Sequence, residues 1–277
     1  MAQPAKQFAI VPELADLGRI DRQLAFFPAR NERPQRLSPA QLDQFNARGY
    51  LTGIRVIPDA EIAAIRRRFD SLLERVLANG GDSYSISSAH LAYADAYDLL
   101  TDERIVAYVS DILGPDIVGW GCHYFCKMPR DGKRVDWHQD ATYWPLTPSK
   151  TVTVWLAIDD SDSGNACMRF VPGSHLRGPL PFEVAEDEST VLNQKVCGVE
   201  EFDPPVNNEL RAGEISLHSD LLLHGSEAND SDRRRCGLTL RYCAADVSAY
   251  LDWNLKGVLV KGSDSAGHWA NPPRPPN

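Results

Sequence analysis

The spacing of apolar positions changes once along this chain. In the first third they recur every three or four residues. "LSPAQLDQFNARGY" predicts a helix with Ser38 as N-cap, Pro39 at its first position and Gly49 as terminator. "IPDAEIAAIRRRFDSLLERVLANGG" predicts a longer one, capped by Asp59, whose stripe of Ile62, Ile65, Phe69, Leu72, Leu73 and Val76 faces a core. Arg66 to Arg68 then form its solvated flank, and "DERIVAYVSDILG" predicts a shorter helix. From about Ile117 the period shortens to two. "IVGWGCHYFCKM", "KTVTVWLAIDD", "MRFVPGSH", "EISLHSD" and "CGLTLRYCAADV" read as strands separated by Gly, Pro, Asn and Asp.

Helices followed by short strands without helical crossovers imply an α+β, mainly β architecture, with an antiparallel double-sheet core buttressed by the helices. One domain is expected over 1–277: an irregular arm (1–37), a helical buttress (about 38–116), a β core (about 117–250) and a proline-rich tail (251–277).

Composition narrows the function. A net charge of −9 argues against a nucleic-acid partner. The first 30 residues lack a basic start followed by an apolar run, and no stretch approaches the roughly 20 apolar residues needed to span a bilayer, so a cytoplasmic protein is expected. Six scattered cysteines without a CxxC pair fit reduced thiols and disfavour structural zinc.

Among seven histidines, His138-Gln139-Asp140 stands out in "DWHQDATYWP". In extended chain, side chains two apart share a face, so this imidazole and carboxylate can meet one ion. Two imidazoles and one carboxylate leave the opposite side of a divalent metal open, as in non-haem iron oxygenases. A lone HxD is weak, however, and His218-Ser219-Asp220 is a rival six residues before His224. Asp220 suits a turn between strands, which favours His224 as the second imidazole and His218 as its neighbour.

Three ordered blocks, "WHQDATYWP", "TVTVWLAIDDSDSGNACMRFVPGSH" and "LLLHGSEANDSDRRRCGLTLRY", resemble the phytanoyl-CoA dioxygenase family of Fe(II)/2-oxoglutarate oxygenases. One departure is Ala166, where the middle block usually carries glycine and where no ligand position is touched. The resemblance implies a double-stranded β-helix (a cupin-like jelly roll) with His138, Asp140 and His224 as iron ligands. It also implies that Arg235 grips the far carboxylate of 2-oxoglutarate, with Ser226 sharing it. A guanidinium can do so through two parallel hydrogen bonds, which lysine cannot reproduce. Arg233 and Arg234 read as a solvated basic turn. Trp155 resembles a family tryptophan near the cosubstrate, although core packing accounts for it equally well. Related halogenases carry a small residue at the carboxylate position, so Asp140 favours hydroxylation, with O2 consumed and succinate and CO2 released.

His123, Phe125 and Lys127 share the face of a strand that, by the resemblance, lines the pocket, with Lys127 toward the cosubstrate. Tyr143 and Trp144 are candidate substrate residues just past the ligand pair. Arg241 shares a strand face with Arg235 and Thr239; if that face looks inward, an anion or acid must meet it. The expected substrate is a small polar metabolite, with an aminophosphonate, quaternary-ammonium or ectoine-like compound favoured. Alternatives are a natural-product cyclase, epimerase or desaturase with the same cofactors, or a non-catalytic metal-binding jelly roll. A monomer or homodimer is expected.

Overall fold

A computed structural model describes residues 11–185, 187 and 189–277; residues 1–10 of the expected arm lie outside it. Six antiparallel strands form the major sheet, in the spatial order Tyr50–Arg55, Glu214–Ser219, Thr151–Ala157, Arg235–Ala244, Ile117–Lys127 and Val258–Lys261. A minor sheet runs Val135–His138, His224–Ser226, Arg169–Phe170 and Val206–Asn207.

Alternation along the major strands divides core from site. Cys122, Tyr124, Val154, Leu156, Leu217, Leu238 and Leu240 face outward onto the helices, in one cluster with Phe45, Ile62, Ile65, Phe69, Leu72 and Leu73. Burying each large apolar side chain stabilises this layer by about 1.5–3 kcal/mol. The residues between them, including Thr153, Trp155, Arg235, Thr239 and Arg241, face the minor sheet and line a cavity with it. A period-two pattern that is apolar on one side and polar on the other thus builds both layers at once.

The two main helices fall where the periodicity puts them, at Pro39–Arg48 and Asp59–Ala78. Ser38 makes a capping box with Gln41, and Gly49 ends the first helix in the left-handed region at φ 84°. Asp59 is not the cap of the second: Pro58 occupies that place, without a side-chain bond, and Asp59 is the first helical residue. The arginine runs also differ from expectation. Arg66 donates to the Ile158 carbonyl and pairs with Asp159, while Arg68 pairs with Asp95. Arg233 pairs with Asp162, and Arg234 joins Asp159 to Asp70. Arg66 and Arg234 thereby tie the long helix to Asp159 just beyond the strand Thr151–Ala157, whereas Arg68 and Arg233 remain exposed.

Several elements have no counterpart in the sequence reading, among them the helix Ala94–Leu100 and the two edge strands of the major sheet, Tyr50–Arg55 and Val258–Lys261, the latter within the expected tail. In "MRFVPGSH" only Arg169–Phe170 is strand, and Ser174–Arg177 turns into a 3₁₀ helix. The tail packs against the protein: Val258–Lys261 pairs with the strand Ile117–Lys127, and Trp269 is buried in one cluster with Trp120 and Trp144. None of residues 251–277 lines the cavity between the sheets. Among the described residues no helix is long and apolar enough to cross a membrane.

Candidate metal and cosubstrate site

His138 ends one minor-sheet strand and His224 begins its antiparallel neighbour, with the two Cα atoms in register. Gly225 permits that approach, because a Cβ there would lie 2.8 Å from the Val135 carbonyl oxygen. Asp140 opens the 3₁₀ turn Asp140–Tyr143 two residues after His138. Among the described residues His138, Asp140 and His224 are the group that could hold a metal ion, their ligand atoms all within 4.8 Å of one another.

Their orientation fits such an ion. His138 Nδ1 meets the Asp136 carbonyl oxygen at 2.8 Å, and His224 Nδ1 meets that of Leu222 at 2.8 Å. Each ring thereby donates from Nδ1 and leaves the Nε2 lone pair free for a cation. Burial lowers the pKa of both rings, that of His224 well below its ordinary value with His138 adding to the effect, so both are neutral. Burial alone would raise the Asp140 pKa, but the His218 ring and the Arg241 charge outweigh it and hold the carboxyl ionised. Two neutral imidazoles beside a carboxylate are a suitable donor set for iron(II).

The surroundings hold these ligands still. Thr153 donates its hydroxyl to Asp140 Oδ2 at 3.1 Å. Gln139, fully buried, donates to the carbonyls of Gly178 and Leu221 and accepts from Leu180 N. Arg134 pairs with Asp136 at 2.7 Å. From the N-terminal arm, Arg22 donates to the Ala141 and Trp144 carbonyls, at 3.1 and 2.9 Å, and so grips the turn that carries Asp140. Thr153 stands two residues before Trp155 on the same strand face. Nothing local in the sequence points to Arg22, 119 residues from its acceptor.

His218 lines the same cavity, its Nε2 3.8 Å from Asp140 Oδ2. Its rival partner Asp220 turns away: the carboxyl accepts from Ser149 at 2.5 Å, and burial pushes its pKa up to about 7.

At one end of the cavity Arg235 donates from Nε to the Ala166 carbonyl and from Nη2 to Ser226 Oγ, both at 3.1 Å. Its guanidinium lies 5.6 Å from the centre of the Trp155 ring. Trp155 occupies space that only a glycine opposite leaves open, since a Cβ on Gly237 would fall 1.9 Å from it. Ala166 therefore matters more than its sequence position suggested. It sits in the left-handed region at φ 61°, and its carbonyl anchors Arg235. Lys127, in register with Arg235, donates to the Lys133 carbonyl at 2.6 Å and does not line the cavity. Burial and the Arg235 charge bring its pKa down to about 7.

The other end is formed by Arg241, with Phe125 and Thr239 on the walls. The strand bulges only after Arg241, so its side chain keeps the inward face. Trp144 does not reach the cavity; it lies under the Arg241 guanidinium, 5.3 Å away, and packs edge-on against Trp120. Tyr143 is also core, its hydroxyl accepting from Gln194 N. The His123 ring lies tilted against that of Phe125, with centroids 4.2 Å apart, and burial, reinforced by Arg241, pushes its pKa down to about 3.

Comparison with known proteins agrees with this geometry. The family model described as phytanoyl-CoA dioxygenase (PhyH) matches residues 45–237. A probable phytanoyl-CoA dioxygenase of Caenorhabditis elegans is 26% identical over 80% of this chain and 80% of its own. A probable alpha-ketoglutarate-dependent hypophosphite dioxygenase of Stutzerimonas stutzeri is 32% identical over 62% of this chain and 59% of its own. Among solved structures, the non-haem monooxygenase ThoJ superposes with a TM-score of 0.73 at 26% identity, covering 84% of this chain and 87% of that one. The chain belongs to the phytanoyl-CoA dioxygenase (PhyH) family and is a non-haem Fe(II)/2-oxoglutarate-dependent oxygenase with the jelly-roll fold of that family.

Proposed function

We propose that this enzyme hydroxylates a small polar metabolite, with His138, Asp140 and His224 holding iron(II) and Arg235 with Ser226 binding the far carboxylate of 2-oxoglutarate. One observation carries this reading. A two-imidazole, one-carboxylate cluster and a buried arginine that already shares a hydroxyl with Ser226 line a single cavity. Bound there, the metal and cosubstrate supply oxygen activation, yielding succinate and CO2. The chain's own residues orient the reactants. Nδ1 donation fixes both rings, Thr153 fixes the carboxylate, and Trp155 flanks the cosubstrate arginine.

An aminophosphonate, quaternary-ammonium or ectoine-like substrate is favoured over an acyl-CoA, because no basic groove for a nucleotide tail is legible in the chain. The relative named for hypophosphite adds phosphorus oxyanions to the compounds worth screening. Substrate-dependent oxygen consumption with Fe(II), 2-oxoglutarate and ascorbate tests the proposal. A hydroxylated product is expected; ring closure, epimerisation or desaturation would replace the hydroxylase reading, and absence of succinate under all conditions would reject catalysis.

A further inference from the structure

Arg241 is half-buried, faces the cavity and has no ion pair among the described residues. It lies over Trp144 and Trp120, 5.3 and 5.9 Å from their ring centres, and lines the cavity that holds the candidate metal ligands. Its Nε has no hydrogen-bond partner among the described residues. Asp140 is the one carboxylate whose charge acts on it appreciably. Taking the Nε donor of a cation out of water without an acceptor is unfavourable, so this geometry suits a site where a ligand meets it. A second orphan stands close by. His123 Nε2 is buried without a partner, on the same sheet face, and its ring feels the Arg241 charge.

Charge balance shows what is missing. In the loaded site Asp140 is committed to the metal and ceases to be available to Arg241. The divalent ion and Arg235 then offset Asp140 and the two carboxylates of 2-oxoglutarate. An imidazole that ligates a metal through a ring nitrogen does so in its neutral form and adds no charge. The positive charge of Arg241 is left over, and it can be met only by something that enters with the substrate.

We infer that Arg241, seated on Trp120 and Trp144, binds a compact oxyanion carried by the substrate, either a carboxylate or a phosphorus oxyanion, and thereby presents the neighbouring substrate atom to the metal. This rests on the oxygenase reading above and specifies its substrate class. The planar fork suits two oxygens of one anionic group. The two indole rings flank the guanidinium without supplying a counter-charge. Arg235 and Arg241 stand six residues apart on one strand face, about 20 Å at the rise of extended chain, which separates the cosubstrate end from the substrate end. A cationic substrate lacking an anionic group is disfavoured by the same charge.

The test uses the full-length enzyme loaded anaerobically with Fe(II) and 2-oxoglutarate. Acetate, methylphosphonate and phosphite are titrated beside the neutral acetamide, with tryptophan fluorescence as the readout. The oxyanions should bind saturably and acetamide about tenfold or more weaker, as expected for one charge-assisted bidentate contact. Tighter binding of acetate assigns a carboxylate, and tighter binding of the phosphorus anions assigns a phosphorus oxyanion. Arg241→Met should abolish the discrimination and Arg241→Lys should retain part of it, while 2-oxoglutarate still loads. Equal binding of acetamide, no binding by any anion, or an undiminished response in Arg241→Met would overturn the inference. A protein that loads neither Fe(II) nor 2-oxoglutarate would overturn the oxygenase reading beneath it, and wild-type discrimination stands as a test should Arg241→Met fail to fold.

Discussion

The two ends of the cavity hold the same residue type in opposite conditions. Arg235 is fully buried and supplied with partners: the Ala166 carbonyl, the Ser226 hydroxyl and the Trp155 face. Arg241 has the aromatic faces of Trp144 and Trp120 but no acceptor for its Nε. A guanidinium held by fixed neutral acceptors is pre-set for one geometry, which suits a cosubstrate common to every turnover. One held only by rings keeps its donors uncommitted, which suits a ligand that must arrive. On the proposed roles of these two arginines, cosubstrate binding is built into the sheet, whereas substrate recognition waits on a contact the protein does not make with itself.

The comparison can be broken most severely at the metal, on which both ends depend. His224→Ala or Asp140→Ala should lower 2-oxoglutarate turnover by at least ~100-fold, because even outer partners of metal ligands cost 10- to 100-fold; metal content of the purified variants checks it. At the partnered end, Arg235→Lys loses the bidentate fork. The KM for 2-oxoglutarate should rise about 10- to 100-fold, as for loss of a charged hydrogen bond worth ~1.5–3 kcal/mol, while acetate or phosphite binding at Arg241 changes little. Gly237→Ala sharpens the same division. Its new Cβ drives into Trp155, so stability should fall by about 1–3 kcal/mol, the usual cost of overpacking, together with 2-oxoglutarate affinity.

Lys127 supplies a pH test at that end. Its folded pKa, about 7, lies below the ordinary 10.5. The unfolded chain therefore binds the extra proton between those values, and stability should rise with pH across that window. The cost of burying the charge is full below about pH 7, so Lys127→Met should gain more in Tm over wild type at pH 6 than at pH 9. The smallest effect is expected at Ala166. Replacing it with glycine relieves a left-handed conformation that costs a residue with a Cβ about 1 kcal/mol, and thermal unfolding should shift upward accordingly.

Much of this was legible in the chain because its signals are periodic or closely spaced. The stripe from Ile62 to Leu73 and the alternation in "KTVTVWLAIDD" each report a buried face directly. His138 and Asp140 are two residues apart, and His224 to Arg235 lie in one short segment, so each half of the site is local; pairing of Val135–His138 with His224–Ser226 brings the halves together. What escaped depends on distant chain segments. The edge strand Tyr50–Arg55 exists because Glu214–Ser219 offers it a pairing edge. Arg22 acquires its role only when the arm crosses the Asp140 turn. Trp144 looked like a substrate contact because it follows the ligands, yet its ring is spent supporting Arg241. Ala166 looked inert because its side chain does nothing; its backbone carbonyl does the holding.

The most direct measurement of the central claim is conversion of 2-oxoglutarate to succinate by the purified full chain. The account predicts succinate equimolar with the 2-oxoglutarate consumed, dependent on Fe(II), not supported by Zn(II), increased by an oxyanion-bearing substrate and absent in His224→Ala. Succinate formation undiminished in His224→Ala, or no succinate with Fe(II) across anionic and neutral candidates alike, would contradict it.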